Sequence, residues 1–418
     1  MAPVETLLQA PQSCGLPSPR EAEDCSELPV RKPRDAAGDQ ASISGRGAHR
    51  RFPLLAEGYR AHTFDYTLSG GPVTYMDWLR VFRKSIPAYV KAASHDPALP
   101  AAARVPAAAA FAAAFERVLD ALETDPWAPA VDGFKTQPLN CSTLCRVRDQ
   151  ALQRQGFVDI FAPLKAAENA QALALLPALL AELDAVAGAG ARLELALRGV
   201  FAGNVFDMGC AETATKADAA ESAGGSVAGA FAATRESLLP RPWAVDDLDA
   251  FLQHMASRPR PHAKALIFVD NAGADVVLGI LPLARELLKR GTQVVLAANA
   301  LPSINDITAP ELAPLLAAAA PGDALLARAL AERTLRVVSS GNDLGVIDLS
   351  KVSLELASEA EGCDLVILEG MGRGIETNLG AAFTVDAAKL AMVKHPEVAA
   401  LLGGRLYDVV CKFDAAAP

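Results

Sequence analysis

The chain has 418 residues, 51% of them hydrophobic, and a formal net charge of −10. That length and apolar content suffice for one large or two ordinary domains with buried cores. The acid excess is spread along the chain with no basic stripe, which excludes nucleic acid and an anionic membrane surface as main partners.

Residues 1–50 mix Pro, Ser, Gly, Arg and Glu with few apolar side chains, the composition of a disordered extension. Their acids argue against an organelle transit peptide. Residues 51–260 read as a helical region. WLRVFRKSIPAYVKAA, AAFAAAFERVLDALE, TLCRVRDQALQRQGF and ENAQALALLPALLAELDAV carry apolar residues at three-four spacing, and the clusters DPWAPAVDG and AGAGA separate them. No apolar run reaches the roughly 18 residues of a membrane-spanning helix. Seven cysteines lie scattered without zinc-like spacing, as expected of a reducing, cytoplasmic protein.

Residues 261–418 change texture. AKALIFVDN has the length and composition of a strand, ADVVLGILPLARELLKRG is helical up to Gly291, and QVVLAAN is a second strand. Pro282 either kinks that helix or marks a late start. LRVVSSGND, CDLVILEGMG and RLYDVVCKF continue with strand-like runs. The pattern predicts an α/β fold with an open, mostly parallel, Rossmann-like sheet flanked by helices, and a helical region packed over the sheet rim in the same catalytic unit.

Four apolar runs finish in polar residues: Asp270 and Asn271; Asn299, Asn305 and Asp306; Asn342 and Asp343; Glu369 and Arg373. In a parallel sheet these ends share one rim, where ligands bind. Carboxylate and amide oxygens suit hard divalent cations. Asn and Asp after a strand also cap helices or form Asx-turns, so both roles stay open for these residues. The loop EGMGRG lacks the third glycine of a dinucleotide fingerprint, because Ile375 stands there. Its Gly370 directly follows Glu369, one position out of register for an S-adenosylmethionine loop. Glycine amides beside Arg373 suit a phosphate instead. In RGVFAGNVFD, Asn204 and Asp207 would share a face if the segment were helical.

Taken together, RGVFAGNVFD, LLPRPWAVDDL, FVDNAGADVVLGILP, AANALPSINDIT, SGNDLGVIDLS, LEGMGRGIETN and GGRLYDVVCKF resemble the metal-dependent damage-control phosphatases of the ARMT-like fold, in particular their plant-type stand-alone branch. The resemblance runs from about Tyr59 to Phe413, and EGMGR is the branch's signature. It implies hydrolysis of small phosphometabolites, with 4'-phosphopantetheine and its oxidised or sulfonated forms preferred and Co, Ni, Mn or Mg as the supporting divalent metal. Asp270, Asn271 and Asp306 match the family's metal ligands. Asn204, Asp207 and Glu369 are then the expected catalytic residues, with the general acid or base left open between Asp207 and Glu369. Gly370, Gly372, Arg373, Asn305 and Lys394 are the expected phosphate-binding residues. Two rival functions compete: an S-adenosylmethionine-dependent carboxyl methyltransferase, and a module that binds a phosphometabolite without turnover. The shifted glycine register opposes the first, and the acid-amide-acid set opposes the second.

Overall fold

A computed structural model describes residues 48–205 and 227–416. Most of the expected disordered extension therefore lies outside the described residues. Short strands β1 (His49–Arg50), β2 (Ala130–Val131) and β3 (Phe134–Lys135) precede the main sheet. The sheet is built from β4 (Val245–Asp246), β5 (Lys264–Phe268), β6 (Gln293–Ala298), β7 (Leu335–Ser339), β9 (Leu365–Glu369), β10 (Asp386–Met392) and β11 (Val409–Asp414); β8 (Val352–Ser353) pairs with β1 outside it. The order across the sheet is β4-β11-β10-β9-β5-β6-β7. The five strands from β10 to β7 are parallel, and β11 runs antiparallel to β10.

Burial explains this order. β5 and β9 read as unbroken apolar runs because both faces of a central parallel strand are covered. Ala265 and Ile267 enter one core with Leu365 and Ile367, while Leu266 and Phe268 enter another with Val366 and Leu368. This alternation is the two-residue period of a strand. The chain winds outward from β5 through β6 to β7, then returns to the other side of β5 with β9 and β10. The reversal leaves a crevice between the C-terminal ends of β5 and β9, the topological switch point of the sheet.

Helices α1 (Tyr75–His95), α2 (Ala101–Thr124) and α3 (Cys141–Arg154) cover that rim. Thr74 starts α1 with a capping box: its backbone N–H and hydroxyl both donate to Asp77 Oδ2, at 2.8 and 2.7 Å. Trp78, Leu79, Phe82, Ile86 and Tyr89 then form the buried stripe of α1 and share a core with Phe111 and Phe115 of α2 and Leu144 and Val147 of α3. Rim residues Leu344, Val346, Met371 and Val393 belong to the same core. Helices α4 (Ala162–Ala185) and α5 (Ala189–Gly203) pack with the helix Leu281–Lys289 against one sheet face. Among the described residues no helix is long and apolar enough to cross a membrane.

Two strands of the main sheet were not among the runs that the sequence pattern picks out. β4 comes from the segment expected to be helical and adds an edge strand beside β11. β10, DAAKLAM, is Ala-rich and carries a lysine, yet every residue in it is buried. Lys389 sits there because its ammonium donates to the Ala381 carbonyl at 2.8 Å and to Asp414 at 2.6 Å. Pro282 lies in the first turn of the α-helix Leu281–Lys289, into which a π-helical turn, Asp275–Ile280, runs without a break.

Candidate active site

Two loops at the switch point are stitched together by backbone hydrogen bonds. Ala272 N–H donates to the Asn305 carbonyl and Ile307 N–H to the Asp270 carbonyl, each at 3.0 Å. Asn271 and Asp306 form an antiparallel bridge. The loop after β5 and the loop after β6 thus deliver Asp270 and Asp306 side by side, and both side chains are buried. The π-helical turn that follows the first loop folds Asp275 back onto it, where Asn271 N–H donates to Asp275 Oδ2 at 3.1 Å. Wide π turns of this kind are frequent at functional sites, and a second one, Met371–Glu376, follows β9.

Three buried acids meet here: Asp270, Asp275 and Glu369 each place a carboxylate oxygen within 4.8 Å of the other two. Asn204, the C-cap of α5, stands between them. Its Nδ2 donates to Glu369 at 2.7 Å, to Asp275 at 3.2 Å and to Asp270 at 3.3 Å, and its Oδ1 accepts from Met392 N–H. Asn271 Nδ2 donates to Asp275 at 2.9 Å and Asp270 at 3.1 Å, which leaves its amide oxygen turned away from those two bonds. Burial pushes the Glu369 carboxyl well above the usual range, and the Asp275 charge adds to the shift. Burial also raises Asp275, although Lys394 and the hydrogen bonds from Asn271 and Asn204 oppose it.

Arg373 lies between the outer acids. Its Nη1 pairs with Asp270, and its Nη2 reaches Asp306 at 2.6 Å and Asn299 Oδ1 at 3.0 Å. Two carboxylates on one guanidinium fork converge within a few ångströms of each other. Asn378 holds the Arg373 carbonyl at 2.8 Å and is itself bonded to the Tyr59 hydroxyl. Gly370 allows this packing: it adopts φ +96°, and a Cβ there would overlap the Asp270 carboxylate.

The residues present fit a divalent cation. Four buried carboxylates (Asp270, Asp275, Asp306, Glu369) face two cationic side chains, Arg373 and Lys394, an excess of two acids. The upward shifts of Glu369 and Asp275 come first from burial, and at Glu369 the neighbouring Asp275 charge adds to it. The donors are oxygens, with no sulfur or imidazole among them, as Mg, Mn, Co or Ni sites accept.

Asp270 and Asp306 lie at the floor of a cleft that opens to solvent. Val81, Phe82 and Ser85 of α1, Cys141, Cys145 and Arg148 of α3, and Ile304, Val346 and Met371 from the rim line its walls.

Most of the residues singled out in the sequence come together here. Asp207 lies outside the described residues, and α5 ends at Gly203, so the shared-face relation to Asn204 is not carried further. Gly370 does not offer its amide to a phosphate, because that N–H donates to the Leu390 carbonyl at 3.0 Å. Gly372 lines the cleft. Asn305 is buried and takes part in the loop pairing through its carbonyl. Lys394 is buried beside Asp275 and Glu369. The sequence reading missed Asp275, five residues past Asp270, because only the turn between them brings the two together. It also missed Arg148, which looked like one more polar position on an amphipathic helix.

Residues 81–410 match the damage-control phosphatase ARMT1-like domain. The chain is 46% identical over 366 residues to the damage-control phosphatase At2g17340 of Arabidopsis thaliana, an alignment covering 86% of this chain and 95% of that protein. It is 39% identical to pantothenate kinase 2 of Arabidopsis thaliana and 30% identical to the 4'-phosphopantetheine phosphatase of Mus musculus. Each alignment covers 87% of this chain but only 41% and 48% of those longer proteins. A crystal structure of a DUF89 family protein from Pyrococcus horikoshii shares the fold, with a TM-score of 0.53 at 19% identity over 81% of this chain and 98% of that one. With the acid centre at its switch point and a family match over most of its length, the chain belongs to the damage-control phosphatases of the ARMT1-like family.

Proposed function

We propose that the chain hydrolyses phosphate monoesters of small metabolites with a divalent metal, and that 4'-phosphopantetheine and its oxidised or sulfonated forms are its substrates. The observation that carries this reading is the convergence of Asp270 and Asp306 on one guanidinium at the floor of a cleft. The mouse relative's name supplies the substrate class. The free, buried cysteines Cys141, Cys145, Cys363 and Cys411 support a reducing, cytoplasmic setting.

Asp270 and Asp306, with the Asn271 amide oxygen, would hold the metal. Bound there, Co, Ni, Mn or Mg supplies a Lewis acid for a phosphoryl oxygen and acidifies a water. Arg373 spans Asp270 and Asp306 through Nη1 and Nη2 and would place a positive charge beside the phosphoryl oxygens, whose charge spreads in the transition state. Glu369 is a positioning residue. One of its oxygens accepts from Asn204 and the other from Asp270 N–H at 2.8 Å, so both orient the Asp270 segment.

The test is to purify the chain, strip its metal, and measure phosphate release from 4'-phosphopantetheine with each metal added back. Asp270→Ala and Asp306→Ala should lose both metal and activity while keeping the wild-type circular dichroism. Activity in either variant equal to wild type would refute the ligand assignment.

A further inference from the structure

Arg148 lies on the α3 wall of the cleft whose floor is Asp270 and Asp306. Its side chain is 3% exposed. One edge is held: Nε donates to Asp149 Oδ1 at 2.8 Å. One face is covered: the guanidinium sits 4.9 Å from the centre of the Tyr89 ring. Nη2 has no hydrogen-bond partner among the described residues. A guanidinium is a planar fork of five N–H donors, so an arginine held along one edge and stacked on one face keeps another edge for a planar pair of oxygens.

The group is also aimed. The second oxygen of Asp149 accepts from Ser303 Oγ at 2.9 Å, and the Ser303 carbonyl accepts from Asp306 N–H at 3.1 Å. Arg148 is thereby tied to the loop that carries Asp306. Arg148 pairs with Asp149 and not with an acid of the centre, whose cationic neighbours are Arg373 and Lys394. Ile304, Val346 and Phe82 supply apolar wall in the same cleft. A desolvated guanidinium that keeps an unpartnered Nη2 beside a phosphoryl site selects for a second acceptor on the ligand.

We propose that Arg148 binds an anionic oxygen group of the substrate other than the phosphoryl group that reacts, and so sets specificity for phosphate esters with a second anionic end. This deepens the phosphatase reading and rests on it.

The experiment compares wild type, Arg148→Met and Arg148→Lys on two substrates that differ in far-end charge: 4'-phosphopantetheine and its S-sulfonate. The readout is the ratio of the two kcat/KM values, which does not depend on how much of a variant is folded. The expected result is an S-sulfonate preference in wild type that falls about 30-fold in Arg148→Met and recovers in part in Arg148→Lys. A ratio unchanged within about twofold in Arg148→Met overturns the proposal, because a purely structural role or a role at the reacting phosphoryl group lowers both substrates together. Calorimetry with the dephosphorylated products, pantetheine and its S-sulfonate, separates the two levels of inference. If wild type releases no phosphate but Arg148→Met selectively loses the S-sulfonate, the phosphatase reading fails and the Arg148 assignment stands. Equal binding of both products by wild type and Arg148→Met overturns the assignment whatever the activity.

Discussion

The two rims of the sheet each hold a buried polar cluster with three potential metal ligands, and they are built on opposite principles. At the C-terminal rim, Asp270, Asp275 and Glu369 crowd together with Asp306 nearby, and carboxylates outnumber cations. At the N-terminal rim, one carboxylate is surrounded by cations and donors. Asp386 Oδ2 meets His254 Nε2 at 2.7 Å, His262 Nε2 at 2.8 Å and Arg258 Nη1 at 2.9 Å, while its Oδ1 accepts from Ala416 N–H at 2.8 Å. Burial alone would raise Asp386; the bonds from Ala416, His262 and His254 outweigh it and hold the carboxyl below the usual range. At the first cluster Glu369 and Asp275 are pushed up instead. Ligand-like residues in a group do not by themselves mark a metal centre. An uncompensated charge does, since a closed ion cluster stabilises the fold whereas an open one is completed by a ligand.

The largest effect expected from this contrast is catalytic. Asp270→Ala or Asp306→Ala should lower metal-dependent phosphate release on the order of 10³-fold, judged against the loss from removing one transition-state donor. Asp386→Ala and Asp386→Asn should leave kcat/KM within about twofold, because Asp386 begins β10 at the far rim. A comparable loss of activity from Asp386→Asn would erase the distinction between the two clusters.

Stability should respond in the reverse sense. Asp386→Asn takes the charge from a buried carboxylate that accepts from an arginine and two imidazoles and should cost about 3 kcal/mol, read from denaturant melts at pH 7. The sign with pH follows from the depressed carboxyl. Its contribution is present above the unfolded-state value near 4 and is lost as pH falls through the lower folded value. Wild type should therefore lose stability below about pH 4 more steeply than Asp386→Asn does. An equally steep acid limb in the variant would show that other carboxylates carry it.

Asp275→Asn should do the opposite and stabilise the metal-free protein, on the order of 1 kcal/mol at pH 7. Asp275 is raised in the folded state, so its ionisation favours the unfolded chain as pH rises past the unfolded value. Its bonds from Asn204 and Asn271 all fall on Oδ2, while Oδ1 has no partner among the described residues, so an amide can replace the acid without losing an acceptor. A destabilised Asp275→Asn would mean that burial does not penalise the Asp275 charge in the folded state.

The sequence makes the first of these clusters legible and the second hardly at all. Asp270 and Asn271 follow β5 and Asp306 lies in the loop after β6, and strand ends of a parallel sheet share a rim, so one-dimensional pattern carries three-dimensional meaning there. The EGMGRG loop announces itself by its glycines, although Gly370 serves to make room for Asp270 and not to donate its amide. Asp275 and Asn204 could not be placed beside Glu369 from pattern, since a π-helical turn and the end of α5 decide where they point. β10 escaped notice because alanine and lysine favour helices in isolation, and only the cover of neighbouring strands makes DAAKLAM a strand. His254, His262 and Asp386 are 132 positions apart at most and carry no periodic signal.

The most direct measurement is phosphate release from 4'-phosphopantetheine by protein stripped of metal and then given Co, Ni, Mn or Mg in turn. The proposed centre of Asp270, Asn271 and Asp306 requires negligible turnover in the stripped protein and restoration by at least one of these ions, with no restoration in Asp306→Ala. Full turnover without metal, or restoration in Asp306→Ala equal to wild type, would contradict it.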